Sequence, residues 1–216
     1  MDDTPVPELF DLVATHPKIG VHVLDEERRV VYANDVAARM ILNLDPEDIV
    51  GRRVDDLVSD VLLDEFDRFQ ALARAHNGPI MYRRIWRGRQ LLHRACWVDR
   101  GAESDHFVVV TQEAPEKLRD GAAVFESEIV ELGPLDALSP REIEVLALLG
   151  QGLSVKEIAV MLGRSKSTID SHRKSIGRKL READRVHLAQ YASAAGLVPA
   201  DAAKTRVRLD EHRRTE

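Results

Sequence analysis

The first half of the chain mixes apolar runs of strand length with segments of helical spacing. The run IGVHVLDEERRVVYAN predicts a hairpin, because two short apolar strands flank a charged turn at residues 25–28. PIMYRRIW, QLLHRACWV and HFVVVTQE predict three more strands, with turns at residues 87–89 and 99–101. Between these groups, apolar residues recur at steps of three and four in LLDEFDRFQALARAH, which indicates an amphipathic helix.

Helix-starting and helix-ending residues set the limits of this region. Asn34 is the expected N-cap of a short helix, Asp45-Pro46 begins another, and Asn77 ends the long one. Two strands, several helices and three further strands predict an α+β domain over residues 19–113. We expect an antiparallel sheet with helices on one face, preceded by an N-terminal segment, residues 1–18.

Residues 114–137 are predicted to be a linker and residues 200–216 a polar tail. The linker contains Pro115 and Gly121 and surrounds FESEIVEL, a stretch that fits either a short helix or a short strand. The tail is polar, and we expect no fixed structure in it.

Residues 138–199 predict a domain of four capped helices. A glutamate follows the first two caps by three residues, which is the spacing of a capping box. Two short capped helices joined by a glycine-containing turn are typical of a helix-turn-helix, whose second helix enters the DNA major groove. The predicted caps are Ser139, Ser154, Ser165 and Asp184.

The helix that follows Ser165 has one apolar and one polar face. Ile169, Ile176 and Leu180 recur at steps of seven and four, so we expect them to face the core. On the opposite face lie the candidate base contacts Asp170, Ser171, Lys174 and Arg178. The candidate phosphate contacts flank it: Ser165, Ser167, Thr168, His172, Arg173 and Lys179, with Lys156 on the preceding helix.

Charge is distributed unevenly along the chain. The formal net charge is −6, yet residues 1–137 carry 16 Lys/Arg and 27 Asp/Glu, whereas residues 138–199 carry 10 and 6. A basic helical segment in an acidic chain indicates a polyanionic partner, here double-stranded DNA. Asp170 within that segment has two interpretations: it repels phosphate and so rejects wrong sequences, or it only favours the positive helix start.

The single cysteine, Cys96, excludes an internal disulfide and a Cys-based zinc site, which fits a reducing compartment. No apolar run approaches the roughly 20 residues that a membrane span needs. The acidic N-terminus has no basic-then-apolar signal pattern. We therefore expect a cytoplasmic protein without a membrane partner. The sequence shows no group of residues typical of a metal site.

The second half resembles the DNA-binding domain of LuxR-type transcriptional regulators. The stretch LSPREIEVLALLGQGLSVKEIAVMLGRSKSTIDSHRKSIGRKL carries the resemblance, and DRVHLAQYASAAGL continues it. The resemblance implies a homodimer that contacts its copy through residues 185–195, and RNA polymerase is a further candidate partner. It implies DNA contacts at Lys156, Thr168, Ser171, His172, Lys174 and Arg178.

The first half resembles a PAS sensory domain. GVHVLDEERRVVYANDVAARMI, PEDIVGRRVDDL and the three later strands carry this resemblance. It implies a small-ligand or partner sensor, with His93 and Trp97 as candidate pocket residues. We expect neither haem nor flavin, since Cys96 lies on a late strand and a histidine such as His76 or His93 among apolar neighbours is usually a core residue.

The sequence thus predicts a sequence-specific, dimeric DNA-binding transcription regulator modulated by its PAS-like domain. The alternative is a sigma-factor-like subunit of RNA polymerase, since such factors also use a helix-turn-helix. A fourth helix after the recognition helix argues against that alternative. An enzyme is not expected, because the chain shows no nucleophile–base spacing, metal cluster or phosphate loop.

Overall fold

The computed structural model describes residues 6–76, 78–101, 104–114, 124–182 and 184–208. Within them, one seven-stranded sheet has the order β2-β1-β5-β4-β3-β6-β7. The strands are β1 Ile19–Leu24, β2 Val30–Ala33, β3 Ile80–Trp86, β4 Arg89–Val98, β5 His106–Glu113, β6 Phe125–Val130 and β7 Thr205–Arg206. The expectations for Asn77, Pro115, Gly121 and the tail beyond residue 208 lie outside the described residues.

Strands β2, β1, β5, β4 and β3 form an antiparallel block, as the sequence predicts for the PAS-like domain. Helix α1 Val6–Ala14 lies on the other face of the hairpin, where the ring centroids of Phe10 and Tyr32 are 5.3 Å apart. The helices on the inner face are α2 Asp35–Ala37 with a π-helical turn Ala38–Leu42, and α3 Asp60–His76. The prediction that Asn34 is an N-cap is confirmed, since its side chain accepts a hydrogen bond from the Ala37 backbone N–H. Phe69, Trp86 and Phe107 are fully buried in the core between helices and sheet.

Two parallel strands extend this block, so the sheet is mixed and not purely antiparallel. FESEIVEL in the expected linker forms β6, which pairs parallel with β3. The expectation of an unstructured tail is wrong for its first residues: a 3₁₀ turn, Pro199–Ala203, leads into β7, which pairs parallel with β6. The edge of the sheet supplies the backbone partners and the apolar contacts that these short segments lack alone.

Four helices of the described residues form the second unit, in agreement with the sequence prediction: α4 Pro140–Gly150, α5 Val155–Met161, α6 Lys166–Leu180 and α7 Arg185–Ala194. Both predicted capping boxes are present, and Ser165 and Asp184 cap the two later helices. At Gly150 any side chain would meet Cβ of Ala192 at 2.7 Å, so glycine permits the close packing of α4 on α7. No described helix is both long enough and apolar enough to span a bilayer.

The outer face of the sheet packs directly on these helices. Ile85 of β3 and Val130 of β6 belong to the same buried cluster as Ile143 and Leu146 of α4. Leu132, also fully buried, continues that cluster from the segment between β6 and α4. The sheet therefore has one core on each face, and the region predicted to be a linker contributes to the second core.

Candidate nucleic-acid interface and ligand cavity

Helix α6 presents its polar face to solvent because its apolar residues anchor it on α4 and α5. Ile169 and Ile176 are fully buried, as predicted, and Leu180 is partly buried against the same cluster. Ser165 Oγ accepts a hydrogen bond from the Thr168 backbone N–H and so fixes the start of the helix. The helix ends at Arg181, whose φ of 55° is left-handed.

The predicted base-contact row of α6 is accessible. Ser171, Lys174 and Arg178 are exposed, and Asp170 is partly exposed. Ser171, Lys174 and Arg178 are three and four positions apart, and Asp170 is four positions before Lys174, so they share one side of the helix. The geometry suits insertion of this side into a major groove.

Asp170 forms ion pairs within its own helix. Its Oδ1 accepts a 3.1 Å hydrogen bond from Nε of Arg173, and its Oδ2 lies 3.7 Å from Nζ of Lys174. The hydrogen bond from Arg173, with the nearby positive charges, lowers the pKa of Asp170 below its usual value. Asp170 thus restrains two of the candidate DNA-contacting cations, a role that neither interpretation from the sequence included.

Lys179 lies in a different environment from the other candidate phosphate contacts. Its Nζ donates a 2.6 Å hydrogen bond to Oε2 of Glu142, a buried carboxylate on α4. Burial alone would raise the pKa of Glu142, but hydrogen bonds from Lys179, Ser139 and Ser175 outweigh it and lower the pKa to about 2. Lys179 therefore joins α6 to α4.

The remaining candidate contacts lie at the N-terminal end of α6, on the flank of that helix and on α5. Ser165, Ser167 and Thr168 are linked through their hydroxyl groups, with Oγ of Ser165 2.8 Å from both partners. His172 and Arg173 are partly buried on the flank of the helix. Lys156 is exposed on α5.

A cavity of about 100 Å³ lies in the PAS-like domain, between the inner face of the sheet and the helices. Most of its wall is apolar, formed by residues such as Leu24, Ala37, Leu57 and Trp86. The polar part of the wall comes from the central strands: His22, Tyr82, Arg84 and His93.

Two neutral histidines form much of this polar wall. Burial, and then the charge of Arg84, lower the pKa of His22 from 6.5 to about 4. Burial likewise lowers the pKa of His93 well below its usual value, with Arg84 and His22 adding to the effect. Nδ1 of His93 lies 2.8 Å from Oγ1 of Thr111, whereas its Nε2 has no hydrogen-bond partner among the described residues. Both rings can therefore offer a neutral donor or acceptor.

Arg84 has its charge balanced inside the fold. Nη2 of Arg84 donates a 2.6 Å hydrogen bond to Oε2 of Glu65, and both residues are more than nine-tenths buried. Ser127 Oγ also donates to Glu65, at 2.8 Å. Within the described part of the chain, Nε of Arg84 has no hydrogen-bond partner. The cavity thus carries no unbalanced charge from this pair.

One of the two pocket residues predicted from the sequence lines the cavity. His93 lines it and stacks on Tyr82 at 4.4 Å, but Trp97 is not among the lining residues. The Trp97 indole N–H donates to the Gln70 carbonyl, and Arg74 covers its ring at 3.8 Å. His22 and Arg84 were missed. His22 is a polar residue inside an otherwise apolar strand, a signal that could have identified it, whereas Arg84 follows Arg83 and the sequence alone does not show which of the two faces the cavity.

The other candidate ligand residues, His76 and Cys96, do not line the cavity. His76 is exposed at the end of α3 and makes an edge contact with Phe125. Cys96 is partly buried, and burial raises the pKa of its thiol. Over the ranges that the structure describes, no group of three His, Cys, Asp or Glu residues is placed to hold a metal ion.

Comparison with known families matches both halves of the chain. The family described as "Bacterial regulatory proteins, luxR family" matches residues 136–192, and the family described as "PAS fold" matches residues 16–121. The Escherichia coli transcriptional regulatory protein RcsB is 47% identical over 64 residues, which are 30% of each chain. MctR of Rhizobium johnstonii is 42% identical over 63 residues, or 29% of each chain. The chain thus matches less than a third of the length of these curated relatives.

A solved structure shares the whole architecture. Vibrio cholera VqmA superimposes with a TM-score of 0.52 at 16% sequence identity, and the match covers 93% of each chain. At this identity the likeness concerns the fold. It includes both the sheet with its inner helices and the capped helices that follow.

Proposed function

This chain is a LuxR-type helix-turn-helix protein with an N-terminal PAS-like domain, and on that premise we propose that it is a sequence-specific DNA-binding transcription regulator controlled by a small ligand. The observation that carries the proposal is the exposed row of Ser171, Lys174 and Arg178 on a capped helix anchored by its other face. The family match at residues 136–192 favours a regulator over the sigma-factor-like alternative.

We propose that the regulator binds DNA as a homodimer, with α7 at the contact between copies. Leu188, Ala192 and Ala195 are buried against the domain core. Val186 and Tyr191 are 61% and 42% exposed, so the outer side of α7 offers apolar surface to a second copy. Half-sites about one helical turn apart would match a two-fold dimer. Contact with RNA polymerase at the promoter is a further part of the proposal.

The cavity supports a ligand of limited size and charge. A cavity of about 100 Å³ is of the same order as the roughly 150 Å³ cavity that binds benzene. The wall is largely apolar, His22 and His93 are neutral, and Arg84 is balanced by Glu65. We therefore propose a small, uncharged, mainly apolar molecule with one hydrogen-bonding group, and neither haem nor flavin, each of which is several times larger. VqmA, which shares the fold, has been crystallised with a ligand and DNA.

Selection of bound sequences from a random DNA pool tests DNA recognition. We expect purified protein to enrich one two-fold-related sequence without RNA polymerase. Lys174→Ala should weaken binding to it and relax one base position, since a good base contact contributes about 1–3 kcal/mol. Lys18→Ala, which removes an exposed lysine of the N-terminal segment, should have no effect. No enrichment without polymerase would favour the sigma-factor-like alternative.

Thermal unfolding with three small probes tests the cavity. We expect phenol to raise the midpoint more than benzene does, because only phenol offers a hydroxyl to His22 or His93. Benzoate should have the smallest effect, because its charge would be buried without a free partner. His22→Phe should reduce the preference for phenol, because only His93 then remains to bind the hydroxyl. Equal shifts for all three probes would contradict the proposed chemistry.

A further inference from the structure

Strand β3 lies between the cavity and the helix-turn-helix domain. Tyr82, Arg84 and Trp86 line the cavity on one face of the sheet. Arg83 and Ile85, which alternate with them, point to the opposite face, where Ile85 packs in the core shared with α4. The same strand thus contacts the proposed ligand site and the DNA-binding helices.

Arg83 forms hydrogen bonds with the segment that follows α7. Its Nη1 and Nη2 donate to Oδ1 and Oδ2 of Asp201 at 3.0 and 2.8 Å, and Nη2 also donates to the Gly196 carbonyl at 2.6 Å. Nε donates to Gln90 and Nη1 to Glu126, so every nitrogen of the guanidinium group has a partner. The exposed fraction is 3% for Arg83 and 1% for Asp201.

Asp201 also has hydrogen-bond partners within its own segment of the chain. Its carboxylate also accepts hydrogen bonds from the Val198 backbone N–H at 2.9 Å and from Nζ of Lys204 at 2.8 Å. The chain then pairs with β6 as β7, and the Val207 N–H donates to the Val130 carbonyl at 2.9 Å. Val207 is buried in the core of the PAS-like domain.

The chain therefore enters and leaves the helix-turn-helix domain through neighbouring strands of the seven-stranded sheet. β6 precedes α4, β7 follows α7, and the two strands are hydrogen-bonded to each other. At Gly196, where α7 ends, any side chain would meet Gln90 of β4 at 2.6 Å, so this turn touches the sheet as well. Such an arrangement resists rotation far better than a single flexible linker would.

We propose that the Arg83–Asp201 ion pair locks the helix-turn-helix domain to the seven-stranded sheet, so that the sheet and the α7 contact between copies together set the separation of the two recognition helices in the dimer. The proposal rests on the proposed function, because it concerns how two copies meet one DNA site. A locked dimer accepts one half-site spacing. A dimer with freely rotating domains accepts several, since only effective concentration then joins the two contacts.

The test compares two half-site spacings. The DNA carries two copies of the selected half-site at the selected spacing, or with about 5 base pairs added, which is half a helical turn. In wild-type protein we expect the longer spacer to weaken binding at least about tenfold, since the second contact is lost. In Asp201→Asn and in Arg83→Lys, the longer spacer should weaken binding by only about threefold or less. Arg83→Lys keeps the positive charge but loses the planar guanidinium group. Binding to a single half-site should stay within about twofold of wild type.

Hydrogen exchange reports the lock independently of DNA. Backbone amides of residues 200–207 should exchange at least about tenfold faster in both variants, while those of α3 and α4 stay as protected as in wild type. Glu113→Gln is the matched control, because it removes the charge of an exposed ion pair with Arg89 on the same sheet. It should change neither the exchange nor the spacing preference.

The outcomes separate the lock from the proposed function. Unchanged exchange of residues 200–207 in both variants overturns the proposal, and so does faster exchange with an undiminished spacing preference. If wild-type protein prefers no DNA sequence, the proposed function fails, and with it the role in dimer spacing, whatever the exchange shows.

Discussion

Nζ of Lys179 on the recognition helix donates a 2.6 Å hydrogen bond to the buried carboxylate of Glu142 on α4. The same carboxylate accepts the backbone N–H of Ser139 at 2.7 Å, which completes the capping box of α4. One acidic side chain therefore fixes both the start of α4 and the position of α6. The orientation of the exposed basic row depends on this contact as well as on the apolar core.

Substitution of Lys179 should lower stability, whereas substitution of Lys174 should weaken DNA binding. Lys179→Ala leaves Glu142 buried without its cation, so we expect the free energy of unfolding to fall by about 2 kcal/mol. The Lys174 side chain is 73% exposed, and Lys174→Ala should change stability by less than about 0.5 kcal/mol while it weakens DNA binding. Urea unfolding and DNA titration of both variants check this. Equal stability of the two variants would show that the contact to Glu142 contributes nothing.

Glu142 should make the helical domain sensitive to acid. Its pKa is lowered to about 2 in the folded protein, so its contribution is fully present above the unfolded value of about 4.5 and is lost as pH falls towards 2. The shift corresponds to roughly 3 kcal/mol. Glu142→Gln should be less stable than wild type at pH 7, and the difference should shrink as the pH falls below about 4. Urea unfolding at several pH values measures it; a difference that does not vary with pH would contradict the assignment.

His22 should produce a second pH dependence in a different range. Its pKa is about 4 in the folded protein and 6.5 as a free side chain, so the unfolded chain binds the proton more readily. Stability should therefore decrease as the pH falls from about 6.5 to 4, by roughly 3 kcal/mol at most. His22→Phe should remove this part of the pH dependence and leave the acid effect of Glu142. Identical pH profiles for wild type and His22→Phe would show that His22 is not buried as a neutral group.

Asp170 should restrain DNA binding by holding two cations. In Asp170→Asn, Arg173 and Lys174 lose their ion-pair partner and one negative charge near the DNA disappears. We expect tighter binding to random-sequence DNA and a salt dependence steeper by about one unit. Titrations at several salt concentrations measure the slope. Asp184→Asn, a change at an exposed helix cap outside this face, is the control, and an equal effect of both changes would argue against a specific restraint.

A fragment of residues 132–216 should recognise the same DNA sequence but be less stable than the full chain. It retains the capped helices, yet it lacks Arg83 and the contacts of Ile85 and Val130 with the second core. Asp201→Asn should destabilise the full chain more than it destabilises the fragment, because only the full chain contains Arg83. Thermal unfolding of the four proteins forms the cycle. The same loss in both backgrounds would show that Arg83 and Asp201 are not coupled.

The sequence by itself determined the helical half of the molecule and its polar face. Capping residues such as Ser139 and Ser154 act within one turn, and apolar positions such as Ile169 and Ile176 repeat at helical spacing. These signals are local, so the helix limits and the exposed row of α6 follow from them without any knowledge of distant contacts. The hairpin and the antiparallel strands of the first half follow for the same reason.

Only the tertiary structure decided how the two halves are joined and what the polar side chains do. The sequence of β6 fits either a short helix or a short strand, and β7 has only two residues. Both form strands because an existing sheet edge offers backbone partners. Arg83 and Asp201 are separated by 118 residues and Glu142 and Lys179 by 37, so no spacing rule relates them. Long-range ion pairs and the cavity around His22 depend on where folding brings distant segments together, which a local pattern does not encode.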